Sequence, residues 1–174
     1  MMSEPEASSP FAGRSPLGLD EAAVRREALR REGRTLALTN GCFDLLHVGH
    51  LFLLEKASAL ADELWVAVNS DSSVRSLKGS SRPLQGERER VYALLCLEFV
   101  HGVLLFDGLR LDREIAALKP DAYAKGGDYS LETIDEKEKA ALEKEGTAIH
   151  FVPFLDGFGT TDLIHRIKNL PQAE

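Results

Sequence analysis

The sequence predicts one α/β domain, built on a parallel sheet of about five strands with helices covering both faces. Three observations predict it. Short apolar strand patterns alternate with helical ones along nearly the whole chain. The strand patterns are continuous apolar runs, such as Leu64–Val68 (LWVAV), as expected for strands buried on both sides. The 174 residues suffice for one domain with its own core and no more.

The elements follow in order. Residues Met1 to Gly18 hold three prolines and few large apolar groups, so they read as a disordered arm before a domain over residues 19–170 and a short tail over 171–174. Leu19–Arg31 is a charged helix with Asp20 near its start and Gly33 just past its end. Thr35–Thr39 is a short strand, and Leu51–Leu60 has apolar residues at helical spacing. Leu64–Val68 is the second strand and Glu87–Phe99 an amphipathic helix. Gly102–Phe106, Leu111–Leu118 and Ala122–Ala124 read as strand, helix and strand. Leu131–Lys144 is a highly charged helix, Ala148–Val152 the fifth strand and Thr161–Ile167 a closing helix. Such a sheet binds ligands beyond the carboxyl ends of its strands, which directs attention to Thr39–His50, Asn69–Arg82, Asp107, Lys125–Tyr129 and Pro153–Asp162.

Composition narrows the function classes. Basic and acidic residues number 21 and 28, a net charge of −7, which argues against a nucleic-acid coat or an anionic membrane as partner. Two cysteines, Cys42 and Cys96, form no disulfide framework, and no apolar run reaches the length of a membrane span. The acidic, Ser- and Pro-containing start lacks the pattern of a signal or transit peptide, so a cytoplasmic location is expected. There is no Gly-x4-Gly-Lys-Ser/Thr loop, which excludes a P-loop kinase. Gly157-Phe-Gly-Thr-Thr161 comes near a dinucleotide fingerprint, but Asp162 stands at the third glycine position and no second βαβ unit follows.

The richest segment is Thr39-Asn-Gly-Cys-Phe-Asp-Leu-Leu-His-Val-Gly-His50. His47 and His50 lie three apart and share one face of a helix start. Asn40-Gly41 makes a sharp turn that admits a ligand close to the backbone, and Gly49 keeps bulk from between the histidines. Two imidazoles and a helix N-terminus suit the phosphates of a nucleotide. Zinc held by Cys42, His47 and His50, with Asp44, is the competing chemistry, but no Cys-x-x-Cys or His-Glu-x-x-His pattern accompanies it. Cys42 as a nucleophile has no partner beyond the same histidines. In Gly157–Thr161, Thr160 and Thr161 can hold β- and γ-phosphates at the last helix start, and one of them can equally cap that helix.

This segment resembles the Gly-x-Phe-Asp-x-x-His-x-Gly-His signature of the cytidylyltransferase-like nucleotidyltransferases, which have a Rossmann-like domain. The resemblance continues through VAVNSD (Val66–Asp71), LKGSSRP (Leu77–Pro83), KPDAYAKGGDY (Lys119–Tyr129) and GFGTTDLI (Gly157–Ile164). In this order the blocks are most similar to the heptose-1-phosphate adenylyltransferase branch. The resemblance implies attack of a sugar 1-phosphate on the α-phosphorus of a nucleoside triphosphate, ATP over CTP, with Mg²⁺ accompanying the triphosphate. His47, His50 and Lys78 would then be catalytic. Asn40, Gly41, Cys42, Phe43, Gly49, Asp71, Arg90, Gly127, Asp128, Gly157, Thr160 and Thr161 would hold the nucleotide, and Asp44, Arg82 and Lys125 the acceptor. Plainer roles compete at several positions: Lys78, Arg82 and Arg90 as surface charges, Asp71 as a helix cap, Asp128 as a cap after a glycine turn. No direct protein ligand for a metal is assigned.

The sequence departs from the branch at Gly159, where a serine is usual, at Asp107–Leu111, at His101 and in the unusually charged Glu132–Glu138. The alternatives are therefore a cytidylyltransferase for glycerol phosphate or another polyol phosphate, against which Phe154 stands in place of an arginine, and a non-catalytic nucleotide-binding module. A homodimer is expected through Glu87–Phe99, whose apolar residues exceed one narrow stripe.

Overall fold

The structure is a computed structural model and describes residues 11, 13–127, 129–153, 155 and 157–171. Its elements are α1 (Leu19–Arg31), β1 (Leu36–Gly41), α2 (Val48–Ser58), β2 (Glu63–Asn69), α3 (Asp71–Lys78), α4 (Glu87–Leu95), β3 (Gly102–Phe106), α5 (Asp112–Leu118), β4 (Ala122–Gly126), α6 (Glu136–Glu145), β5 (Ala148–Val152) and α7 (Thr160–Lys168). The five strands are all parallel, in the order β3-β2-β1-β4-β5. The chain builds outward from β1 through β2 to β3, then crosses back to lay β4 on the other side of β1. That reversal opens a crevice at the carboxyl ends of β1 and β4.

Strand alternation divides the core in two. Leu36, Leu38, Trp65, Ala67, Leu104, Phe106 and Tyr123 face α1, α5 and α6, where Leu29, Leu111, Ile115 and Leu142 meet them. Ala37, Leu64, Val66, Val68, Val103, Ala122 and Ala124 face α2 and α4 with Leu54, Ala57, Val91 and Leu94. Among the described residues, no helix is long and apolar enough to cross a membrane.

Besides Asn40-Gly41, which is not a turn but the end of β1, in register with Ala67 and Val68 of β2, three expectations change. The charged helix begins at Glu136 and not at Leu131, because Asp135 caps it by accepting from the Lys137 and Glu138 amides at 2.9 and 3.3 Å. The end of the arm expected to be disordered is ordered against the domain: the Leu17 amide donates to the Val103 carbonyl at 2.7 Å and Arg14 to the Leu95 carbonyl at 3.1 Å. Its remainder, residues 1–10 and 12, lies outside the described residues, as do positions 172–174 of the tail. The third change is on α4. Phe11 meets the Tyr92 ring edge-on at 5.4 Å and the Arg14 guanidinium lies 5.5 Å from it, so part of that helix's surplus apolar surface is covered within the chain.

Candidate active site

The crevice is a cleft of about 670 Å³, a volume in the range of small-molecule sites. Its floor is the turn that leaves β1. Phe43 (φ 50°) and Leu45 (φ 53°) adopt left-handed backbone, which costs non-glycine residues energy and needs surrounding contacts to hold it. Those contacts are present. The Phe43 ring is buried and lies 5.2 Å from the His50 ring, with Gly41 leaving it room, since a Cβ there would sit 3.0 Å from the ring. The Leu45 amide donates to Gln85 Oε1 at 3.2 Å.

Asp44 is the anchor of this turn, and it is only 1% exposed. Its carboxylate accepts from the Leu84 and Gln85 amides at 2.9 and 3.0 Å and pairs with Arg82 at 2.6 Å. Behind it, Arg90 is fully buried and donates to the Cys42 carbonyl at 2.6 Å, the Gln85 carbonyl at 3.1 Å and Asp71 at 2.8 Å. Asp44, Arg82, Asp71 and Arg90 therefore do not line the cleft. The substrate roles expected of them give way to two ion pairs, because each cation already has a carboxylate in contact. The Asp44–Arg82 pair clamps the 42–45 and 82–86 loops together, and Arg90 ties both loops, through the Cys42 and Gln85 carbonyls, to Asp71 at the start of α3. Asp71 is not the cap of α3 either; Ser70 is, accepting from the Ser73 amide at 3.3 Å.

His47 forms the N-cap of α2 with an extended backbone, and His50 lies in the first turn. Their rings stack at 3.8 Å with a 23° tilt. Both Nδ1 atoms are buried without a partner among the described residues, which favours the proton on Nε2, the nitrogen left for the cleft. His47 Nε2 lies 3.3 Å from Thr160 Oγ1, across a sequence separation of 113 residues. Burial, then His47 and the Lys78 charge, push His50 down to about 3, and burial also lowers His47. Both imidazoles are thus neutral at pH 7, donors and not cations.

The opposite wall is the start of α7. A Cβ on Gly49 would meet the Phe158 carbonyl oxygen at 2.6 Å, so glycine there lets the 158–160 backbone press onto α2. The N-termini of α2 and α7 consequently border one cleft, each presenting unpaired amides. Gly157 takes φ +79° in the turn before this wall and does not itself line the cleft.

The structure thus brings Asn40, Gly41, Cys42, Phe43, His47, Gly49, His50, Lys78, Lys125, Gly127, Thr160 and Thr161 to the cleft. Asp128 lies outside the described residues, as does Phe154. The Cys42 thiol is pushed up, first by burial, with Lys78 and Arg90 opposing, and its Sγ lies 3.8 Å from Asn69 Oδ1. A protonated thiol is a poor zinc ligand and a poor nucleophile. Among the described residues, no three His, Cys, Asp or Glu side chains gather as a metal site.

Sequence reasoning missed Glu138, Tyr129, Leu77, Leu109 and Phe158, which also line the cleft. Leu77 lies on α3 and Leu109, Tyr129 and Phe158 on separate loops; three of them sit within the sequence blocks that carry the family resemblance, but nothing local marks their side chains as cleft-lining. Glu138 was hidden in a charged helical stretch that looks solvated, yet it is 3% exposed and pairs with Lys125 at 3.0 Å.

The chain is similar to known proteins in sequence and in fold. The chain is 45% identical over 150 residues to the bifunctional protein HldE of Geotalea uraniireducens, covering 86% of this chain and 30% of that one. It is 45% identical over 141 residues to HldE of Methylococcus capsulatus, covering 81% and 30%. The chain thus spans about 30% of the length of these curated relatives. A crystal structure of the lipopolysaccharide core biosynthesis protein from Thermoplasma volcanium superposes with a TM-score of 0.57 at 28% identity, covering 71% of this chain and 98% of that one. Pantoate-beta-alanine ligase from Francisella tularensis, at 13% identity and a TM-score of 0.56 over 89% of this chain and 72% of its own, shares the fold. The cytidylyltransferase-like family matches residues 38–169, from within β1, through the α2 start with its two stacked histidines, to the α7 wall that meets them. With a match across the entire sheet and both helix starts, the chain belongs to the cytidylyltransferase-like family.

Proposed function

We propose that the chain is an adenylyltransferase that moves AMP from Mg²⁺-bound ATP to D-glycero-D-manno-heptose 1-phosphate, forming ADP-heptose and pyrophosphate. The observation that carries this reading is the pair of neutral imidazoles stacked at the α2 N-terminus and facing the α7 N-terminus through Thr160. The likeness to HldE and to a lipopolysaccharide core biosynthesis protein supports heptose as the acceptor sugar.

An acceptor phosphate oxygen attacks the α-phosphorus, the bond from that phosphorus to the β-phosphate bridge breaks, and pyrophosphate leaves. A phosphate monoester loses its second proton near pH 6, so the acceptor needs no base. The work is positioning and charge stabilisation. His47 and His50 donate through Nε2 to oxygens of the α-phosphate region. Thr160, Thr161 and the first α7 amides hold the departing β- and γ-phosphates. Lys78, exposed at the end of α3 and lining the cleft, supplies positive charge. Among the described residues, the cleft carboxylates Glu138 and Asp162 are engaged, with Lys125 and the Gly159 amide, so no protein ligand is assigned to Mg²⁺, which would come with the triphosphate and supply positive charge there.

A cytoplasmic setting fits an ATP-using enzyme with two free thiols, Cys42 and Cys96. A homodimer is part of the reading: Leu97 and Phe99, at the end of the segment singled out in sequence, line an apolar groove with Val48, Leu51 and Phe52 of α2.

The test crosses ATP and CTP with heptose 1-phosphate and glycerol 3-phosphate and measures pyrophosphate release. ATP with heptose 1-phosphate is expected to be fastest. Preference for CTP and the polyol phosphate moves the chain to that chemistry, and no release from any pair overturns nucleotidyl transfer.

A further inference from the structure

Lys125 lines the cleft, yet its ammonium is fully engaged within the protein. Its Nζ lies 3.1 Å from Asn40 Oδ1, 3.2 Å from the Tyr123 hydroxyl and 3.0 Å from Glu138 Oε2. An ammonium has three donors and these are three acceptors. Its side chain is 12% exposed and Glu138's 4%, and the Tyr123 and Tyr129 rings flank it at 5.6 and 5.0 Å. A phosphate reaching this lysine would have to break one of those bonds.

The consequence falls on Asn40. An ammonium has no lone pair, so the Asn40 atom facing Lys125 must be the carbonyl oxygen. The Tyr123 hydroxyl donates to the same oxygen at 2.7 Å and is held protonated by burial and by the nearby Glu138 charge. Asn40 Nδ2 is left with no acceptor among the described residues and is not enclosed. The amide NH2 is therefore the half that Asn40 offers to the cleft. Without Lys125 the tyrosine hydroxyl could serve either face of the amide, and the orientation would no longer be determined.

Glu138 holds Lys125 in turn. Its other oxygen accepts from the Leu111 amide at 3.0 Å, which fixes the carboxylate between the α5 start and the cleft. We propose that Glu138 and Lys125 are positioning residues: their buried pair does not bind phosphate but sets the Asn40 amide as a hydrogen-bond donor to the substrate. This rests on the nucleotidyl-transfer reading and adds a role for a helix residue outside the sequence blocks that carry the family resemblance.

A double-mutant cycle tests it. Asn40→Ala should lower kcat on the order of a hundredfold, as expected for a lost preorganised donor. Glu138→Gln should lower kcat by about tenfold or more in the native background and by little in the Asn40→Ala background, with KM for both phosphate substrates nearly unchanged. Additive losses overturn the proposal. So does a fall in KM on Glu138→Gln, which would mean that a released lysine binds phosphate directly. Should Glu138→Gln fail to fold, Lys125→Met/Glu138→Met removes both charges together and leaves no buried ion unpaired; it should show the same non-additivity with Asn40→Ala.

A readout independent of turnover separates this idea from the nucleotidyl-transfer reading. In the unliganded native protein, the Lys125 ammonium should give an exchange-protected proton–nitrogen NMR signal that Glu138→Gln abolishes. An inactive native protein with that protected signal refutes the reaction and spares the geometry. A rapidly exchanging Lys125 refutes the geometry whatever the activity.

Discussion

Gly49→Ala isolates the approach of the two helix starts. The added Cβ would lie 2.6 Å from the Phe158 carbonyl oxygen and 3.1 Å from two atoms of the His47 ring. Ordinary contact begins at 3.4 Å, so the wall must retreat by about 0.8 Å, and it is backbone and cannot rotate away. The retreat carries Thr160 from His47 and separates the groups that would hold neighbouring phosphates. Misplacement on the scale of 1 Å costs on the order of a hundredfold in turnover. Global stability should fall little, because alanine gains roughly 1 kcal/mol over glycine inside a helix and α7 has no fully buried residue. Gly126→Ala is the matched control: its Cβ would lie 2.7 Å from Leu53 Cδ2, the end of a side chain that can turn aside. Pyrophosphate release at saturating substrates, with a thermal melt on each variant, reads the result. Near-native turnover in Gly49→Ala, or an equal loss in Gly126→Ala, refutes the reasoning.

Other measurements reach different parts of the structure. His50 is held down to about 3 in the fold against 6.5 unfolded. The unfolded chain therefore binds the extra proton, so this group's contribution is complete above pH 6.5 and is lost as pH falls toward 3, by up to roughly 5 kcal/mol. Urea midpoints should fall less on acidification in His50→Gln, and parallel pH profiles would count against a buried neutral imidazole. Asp44→Ala strands the nearly buried Arg82 guanidinium and should cost about 3 kcal/mol or more by urea denaturation; a loss under 1 kcal/mol contradicts the clamp. Light scattering at tens of micromolar should report a dimer that Leu51→Glu dissociates without unfolding, and a native monomer mass rules the dimer out.

What the sequence determined by itself was the alternation of strand and helix and the identity of the loop that floors the cleft. Both are local. Apolar period and turn residues act within a few positions, so Gly102–Phe106 and Ala148–Val152 were legible to the residue, and His47 and His50 three apart had to share a face. Helix starts were less legible where a cap intervened, as at Asp135. Only the tertiary structure decided which charges face the cleft unpaired and which meet one another. Arg82 and Arg90 look like phosphate ligands in sequence, and Glu138 looks like a solvated helix residue. The fold buries the first two against Asp44 and Asp71 and the third against Lys125. Sequence does not record these pairings because they join residues 13 to 38 positions apart through backbone crossings. A buried charge must find its partner where the packed chain leaves one, since burial without a partner costs several kcal/mol. The same holds for Thr160 and His47, whose meeting depends on the last helix returning to the first strand's edge at a glycine with no side chain to block it.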